Sequence, residues 1–350
     1  MVRVECSYML EEDRVARWAR RHGYRRLLIQ APDGIKRCLS SLIDKLEEEG
    51  FEVLLSGSHT WGGCDLAMKD AETLGADAII HVGHHGPVRF EPPSNVLFVP
   101  AYSSVEIAGV VEKAALKLAE EGIRKVGLLT TVQHVHLLKE AEAVLEECGL
   151  EAVSSRSPDP HMWKSLITGC DVRAAESVRG EVDAFLVVSG GLFHALGVAL
   201  ATGAKVVAAD PYTGRVTGID EEARRAVALR LSQLSEALDA REAVVITSTK
   251  PGQWVGASVL RRIRELLAKK GIKCRTLVVN DVERSLLEDY GPADFYVNTA
   301  CPRLAIDDYE LFPSPVINLG EIPCLLSGDL SSYTPRMALT QRLPSIATPP

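Results

Sequence analysis

The chain has 350 residues, 46% of them hydrophobic and 25% charged, with a formal net charge of −8. This length predicts two or three domains with sizeable cores. The acidic balance disfavours a non-specific nucleic-acid binder, which needs a basic face. No apolar run approaches the roughly 20 residues of a membrane span, and the start, MVRVECSYMLEEDR, has neither an apolar core nor a cleavage pattern. No signal peptide is expected, and the expected location is cytoplasmic.

Residues 24–31 (YRRLLIQA) read as a short buried strand broken by Pro32-Asp33-Gly34. An amphipathic helix from Ile35 to Glu49 follows, stopped by Gly50. FEVLLSG (51–57) is the next strand, and Gly62-Gly63-Cys64-Asp65 lies in the turn after it. A helix over 65–74 leads to a third strand within 76–86, ending in His84, His85 and Gly86, and 95–102 is a fourth.

The pattern then restarts. A helix spans Val105 to Glu121, a strand 125–131, a helix His136 to Glu147, and a strand Leu150 to Ser154. After a Pro-rich detour come Gly169-Cys170-Asp171, a helix over 171–179, and strands within 182–191 and 205–212. A third round has a long helix at 220–239, a strand opening 243–256, a helix to Lys270, and a strand at 273–279. It continues with a helix near 281–289, the strand of FYVNTACPRLAID (295–307) and a last strand in PVINLGE (315–321). Strand and helix alternating through short loops predict parallel βαβ units and an α/β fold of three related Rossmann-like domains. The boundaries expected are 1–103, 104–218 and 219–350.

Internal registers support the repeat. Gly-Cys-Asp occurs at 63–65 and again at 169–171, and each Cys stands 13 residues before an aspartate that opens the third strand, Asp77 or Asp183. Asp294 is the third of that series, and seven residues after the three stand His84, Gly190 and Cys301. In open parallel sheets ligands sit beyond the carboxyl ends of the strands. Cys64, Cys170 and Cys301 all fall there, and domains facing one another around a pseudo-threefold centre would bring one thiolate each to a common point.

The eight cysteines form no CxxC pair, which disfavours a zinc knuckle or a thioredoxin-type site. Cys6, Cys38, Cys148, Cys274 and Cys324 are expected to be inert buried thiols, since free Cys packs as a small hydrophobe. The same reading stays open for Cys64, Cys170 and Cys301, against a three-cysteine metal site. Three thiolates would leave one iron of a four-iron cluster without a protein ligand. The loop STKPGQWVG (248–256) could offer backbone N–H groups to an anion but lacks Walker and GxGxxG spacing. The histidines of HVGHHG (81–86) could be ligands or substrate contacts, against the commoner reading of strand-end hydrogen-bonding residues, and Asp210-Pro211-Tyr212 reads as a turn.

GGCDLA, HVGHHG, TGCDVRAA, GGLFHALGVALATGAKVVAADPY and NTACPRLAID together resemble the archaeal diphthamide biosynthesis enzymes, from about Leu27 to Glu321. The resemblance implies 3-amino-3-carboxypropyl transfer from S-adenosylmethionine to C2 of a histidine of translation elongation factor 2, leaving methylthioadenosine. It implies three α/β domains giving one cysteine each, here Cys64, Cys170 and Cys301, to a [4Fe–4S] cluster. It also implies a one-electron reductant, a homodimer, and S-adenosylmethionine contacts at Gly190, Gly191, Asp210, Gly252 and Gln253. The sequence departs from the family pattern at Gly57-Ser58-His59, where Gly-Asp-Pro is usual, and at Trp61 in place of Tyr. Ser58 removes a carboxylate near the cluster. A quinolinate-synthase-like [4Fe–4S] dehydratase and a non-catalytic electron-relay subunit are the alternatives.

Overall fold

The structure is a computed structural model that describes residues 6–86, 90–155 and 163–344. The chain divides into two compact units, Met1–Leu192 with Val207–Thr217, and Phe193–Val206 with Gly218–Pro350.

The first unit opens with β1 (Tyr8–Met9), α1 (Glu12–His22), β2 (Arg26–Gln30), α2 (Ser40–Glu48) and β3 (Glu52–Leu55). Next come α3 (Met68–Leu74), β4 (Ala78–Val82), β5 (Val96–Val99) and β6 (Tyr102–Ser103). Four of these strands form a parallel sheet in the order β3-β2-β4-β5, while β1 pairs antiparallel with β6. Successive residues of the central strands feed opposite cores. Leu27, Ile29, Ala78 and Ile80 pack with Val15, Leu42 and Leu46, whereas Leu28 and Ile79 pack with Ala71. Burial on both faces is why these segments read as continuous apolar runs.

The second set comprises α4 (Ala108–Glu120), β7 (Lys125–Thr130), α5 (Leu138–Glu147), β8 (Glu151–Ser154), α6 (Arg173–Val178) and β9 (Ala184–Val188). It is followed by α7 (Phe193–Thr202), β10 (Lys205–Asp210) and β11 (Arg215–Gly218). Its sheet runs β8-β7-β9-β10-β11. The third set, in the second unit, has α8 (Asp220–Ala237), β12 (Glu242–Ser248), α9 (Ala257–Lys269), β13 (Lys273–Val279) and α10 (Arg284–Asp289). It ends with β14 (Phe295–Asn298), β15 (Val316–Asn318) and α11 (Ile322–Ser327), and its parallel sheet runs β13-β12-β14-β15.

All three sheets share one order: second strand, first, third, fourth. The second strand is therefore always at an edge, and β3, β8 and β13 are correspondingly the more exposed ones. The aspartate series has a physical cause. One carboxylate oxygen of Asp77 accepts the amides of Arg25 and Arg26 at 2.7 and 2.8 Å. Asp183 does the same for Arg124 and Lys125 at 3.0 and 2.8 Å, and Asp294 for Arg241 and Glu242, both at 2.8 Å. In each repeat the residue opening the third strand thus caps the two N–H groups that open the first.

Several local expectations change. The helix predicted from Ile35 begins as a 3-10 stretch, Asp33–Leu39. The helix predicted from residue 65 begins at Met68. Cys6 and Cys38 are not inert thiols: they form a disulfide, because the 3-10 turn brings Cys38 to a Cα–Cα distance of 5.4 Å from Cys6. Cys324 is buried as expected, while burial pushes the half-buried Cys148 and Cys274 thiols up. Part of the Pro-rich detour, 156–162, lies outside the described residues.

The amide pairs hold the carboxyls of Asp77, Asp183 and Asp294 below the usual carboxylate range. A depressed folded-state pKa means the unfolded chain binds more protons, so this stabilisation is present above the ordinary carboxylate pKa and fades as pH falls through the folded one. Asp77→Asn, Asp183→Asn and Asp294→Asn should each lower the melting temperature at pH 7. Thermal melts from pH 7 to pH 3 should show the gap to wild type closing toward the acid end.

Candidate metal centre and cofactor site

Cys64 sits in the turn Trp61–Asp65, clamped by the last residue of β2. Gln30, 2% exposed, donates through Nε2 to the Asp65 carbonyl at 2.7 Å and accepts the Ala67 amide on Oε1 at 2.7 Å. These two bonds keep 65–67 out of helical geometry, so α3 starts late. Gly63 is pressed against the loop after β4: a Cβ there would stand 2.3 Å from the Gly86 carbonyl oxygen. Cys64 is half-buried and belongs to no disulfide. The loop before it is fixed by Lys36, whose Nζ reaches the carbonyls of Gly57 and Ser58 at 3.2 and 2.7 Å. Asp33 pairs with both Lys36 and His59, and these partners, Lys36 first, hold its carboxyl below the usual range.

Cys170 follows a chain that rejoins the second sheet after the detour. The Thr130 amide donates to the Ser165 carbonyl and the Ile167 amide to the Thr130 carbonyl, both at 2.9 Å. Ser155 and Ser165 cross-bond, each hydroxyl accepting the other's amide, which joins the two ends of the detour. Thr168 then holds the turn: its hydroxyl accepts the Asp171 amide at 3.0 Å and stands 3.9 Å from the Cys170 sulfur. Cys170 is also half-buried and outside any disulfide.

Cys301 lies three residues beyond β14 and caps the 3-10 turn Pro302–Ala305. Asn298, the last residue of β14, donates to the Cys301 carbonyl at 2.7 Å and accepts the Ala300 amide at 3.0 Å. Asn318 at the end of β15 donates to the carbonyls of Pro302 and Ala338, and its amide donates to Glu321 at 2.8 Å. Glu321 forms a wholly buried pair with Arg230 of α8 (2.6 and 3.0 Å), and Arg230 also donates to the carbonyls of Ala305 and Val316. Arg303, 3% exposed, is bound by both oxygens of Asp307 and lies 3.9 Å over the Phe193 ring.

The first unit thus holds Cys64 and Cys170, and the second Cys301. Within either unit, among the described residues, no three His, Cys, Asp or Glu side chains group to hold a metal ion. Each of the three thiols taken singly is half-buried on a turn whose backbone a polar side chain fixes, the partial exposure and fixed direction that suit a ligand of an iron–sulfur group.

Of the expected S-adenosylmethionine contacts, Gly190, Gly191 and Asp210 meet at the carboxyl edge of the second sheet. The Gly191 amide donates to Asp210 at 3.1 Å, and the other Asp210 oxygen accepts the amides of Tyr212 and Thr213 at 2.9 and 3.3 Å. Burial alone would raise the Asp210 carboxyl, but these three amides outweigh it and hold it low. Gly252 and Gln253 are buried in the loop after β12, where the Gln253 amide closes a turn on the Lys250 carbonyl at 3.0 Å. Sequence reasoning missed Gln30, Thr168 and Asn298. The available signal was a polar residue ending an otherwise apolar strand, as in LLIQ and FYVN.

Residues 31–334 match the family profile described as "Putative diphthamide synthesis protein". The chain belongs to the diphthamide synthesis family. It is 39% identical over 308 residues to the 2-(3-amino-3-carboxypropyl)histidine synthase of Pyrococcus horikoshii, spanning 88% of this chain and 87% of that one. The synthase of that name from Methanocaldococcus jannaschii is 27% identical over 86% of this chain and 84% of its own. The crystal structure of Dph2 from Pyrococcus horikoshii with a 4Fe–4S cluster superposes with a TM-score of 0.81 at 35% identity, covering 93% of this chain and 94% of that one.

Two substitutions test the supports of these turns. Gln30→Leu strips the Asp65 carbonyl and the Ala67 amide of their described partner, which should cost about 1–3 kcal/mol. Hydrogen exchange should quicken at residues 62–67 and not in β12 or β14. Glu321→Leu leaves the Arg230 charge buried and should cost about 3–5 kcal/mol in urea unfolding. Adding Arg230→Met should recover only part of it, since the carbonyls of Ala305 and Val316 lose their donor.

Proposed function

We propose that this chain carries out the first step of diphthamide biosynthesis: transfer of the 3-amino-3-carboxypropyl group of S-adenosylmethionine to C2 of a histidine of translation elongation factor 2. The match to named synthases across nearly the whole chain carries this reading, and it displaces the dehydratase and relay alternatives. Cys64, Cys170 and Cys301 are the ligands of the cluster. When bound, a [4Fe–4S] cluster held by three cysteines supplies one electron to the sulfonium.

The chain's own part is positional. Which carbon–sulfur bond of S-adenosylmethionine breaks depends on which carbon the protein holds toward the iron, so selectivity resides in how the co-substrate is gripped. Gly190 and Gly191 bring backbone to that ligand and Asp210 fixes their turn, while Gly252 and Gln253 act from the third repeat. The repeats are residues 1–103, 104–218 and 219–350. We place the enzyme in the cytoplasm as a homodimer served by a one-electron reductant. No helix among the described residues is long and apolar enough to cross a membrane.

The deciding experiment is product analysis. The protein, reconstituted with iron and sulfide without oxygen and reduced with dithionite, should convert S-adenosylmethionine to methylthioadenosine, and Cys301→Ala should not. 5′-Deoxyadenosine as the product would show that the other bond breaks and would overturn the assignment.

A further inference from the structure

Residues 261–275 carry seven Lys and Arg side chains against one carboxylate, Glu265, in a chain whose net charge is −8. They run from the middle of α9 into β13, the outer strand of the order β13-β12-β14-β15. That edge is long: β13 has seven residues, against four in β3 and four in β8. Its hydrogen-bonding phase follows from its two ends. The Lys273 amide donates to the Arg241 carbonyl and the Val279 carbonyl accepts the Thr249 amide, so the odd-numbered residues face β12. The N–H and C=O groups of Cys274, Thr276 and Val278 therefore point outward, where no described strand pairs with them.

The two faces of this edge are alike in charge. On the α9 face, Arg261, Arg264 and Lys273 line an open hollow of about 350 Å³ floored by Ala268 and Ile272. On the opposite face, Lys273, Arg275 and Tyr290 line another of about 220 Å³. The carboxylates at the two hollows are taken, Glu265 by Arg262 at 3.6 Å and Glu242 by Lys273 at 3.3 Å. Arg261, Arg264 and Arg275 are exposed and form no ion pair among the described residues. Val278 and Tyr290 are 62% and 69% exposed, so apolar anchors stand beside the charge. Cations on an edge strand ordinarily guard it against pairing, but a guard has no use for a hollow on each face. A row of outward amides and carbonyls is matched by another peptide backbone and not by a nucleic acid, whose phosphates answer only the donors. A second copy of β13 is a poor occupant, because KCRTLVV has two cations and no carboxylate.

We propose that the β13 edge takes an extended acidic segment of a partner protein as a fifth strand. The backbone of that segment pairs with Cys274, Thr276 and Val278. Its side chains alternate between the two hollows, so carboxylates meet Arg261 and Arg264 on one face and Arg275 on the other, and an apolar residue lies against Val278. The basic end of β13 lies roughly 20 Å from its carboxyl end, at about 3.3 Å per residue. The surface thus stands apart from the Cys301 turn, which lies beyond the carboxyl end of β14 in the same sheet, and it holds a protein without touching the chemistry.

The test is fluorescence anisotropy of the full-length protein with a labelled peptide of about ten residues alternating glutamate and valine, long enough to pair along the whole edge. Each variant is checked for fold by its near-ultraviolet circular dichroism. The peptide should bind wild type, and Arg264→Glu and Arg275→Glu should each weaken binding by on the order of tenfold. Thr276→Pro removes one outward N–H, a loss an edge strand tolerates, and should weaken binding as much at unchanged charge. Thr276→Val keeps that N–H and should bind as wild type does. Bound peptide should also slow amide exchange at Cys274, Thr276 and Val278, a readout that needs no variant. No binding to wild type would overturn the proposal and mean that the cations only guard the edge. Full binding by folded Thr276→Pro, with an oligonucleotide of equal charge binding as well, would overturn it in favour of a nucleic-acid surface. Sedimentation in which Thr276→Pro alone separates a dimer would overturn it too, by placing a second copy on the edge.

Discussion

A strand that ends inside a protein must hand its last backbone groups to a new partner, because an unpaired buried amide or carbonyl is costly. Here that duty falls on polar side chains at the strand ends themselves. Gln30 takes one carbonyl and one amide from the Cys64 turn, and Asn298 takes one of each from the Cys301 turn. In the second repeat the Thr130 backbone does the same for the chain leading to Cys170. The cysteines stand on irregular backbone, yet that backbone is nearly as constrained as a ladder. Reactive thiols need partial exposure and fixed direction together, and a side-chain clamp gives both where a longer strand would bury them.

The amino ends of the strands solve the opposite problem with charge. One aspartate oxygen capping two amides is a charge-assisted arrangement, and it recurs at Asp77, Asp183 and Asp294. The third repeat adds a heavier device, the Arg230–Glu321 pair, whose ions are fully buried. An isolated pair of this kind is a doubtful stabiliser. This one is not isolated: Arg230 also feeds two carbonyls, and Glu321 receives the Asn318 amide, so most of its desolvation is answered by hydrogen bonds. It ties α8 to the turn that follows Cys301.

The succession of strands and helices, and the turns that carry Cys64, Cys170 and Cys301, were legible because they rest on period and register. Apolar runs of four to six residues set the strands, and the fixed interval from Cys to Asp gave the repeat its phase. Local boundaries failed where a distant side chain intervened. Nothing in the local sequence at 65–67 says that Gln30, more than thirty residues earlier, will hold those residues out of a helix. The Cys6–Cys38 disulfide was hidden for the same reason, since its formation depends on a 3-10 turn that apolar periodicity reads as helix. His134 gave no signal at all: a histidine in TTVQHVH is ordinary until its burial is known.

The loop ahead of Cys64, where the sequence departs from the family pattern at Ser58, is held from a distance. The sequence reading marks Ser58 as a place where a carboxylate is missing, and a motif comparison stops there. In the fold, Asp33 arrives at the same loop from the turn after β2, bound to His59 and to the Lys36 that holds the carbonyls of Gly57 and Ser58. Lys36 lies on the 3-10 stretch that also carries Cys38, so the disulfide, the carboxylate and the loop ahead of Cys64 hang from one short element. Asp33 stands more than twenty residues before Ser58 in sequence and pairs with His59, the next residue of that loop.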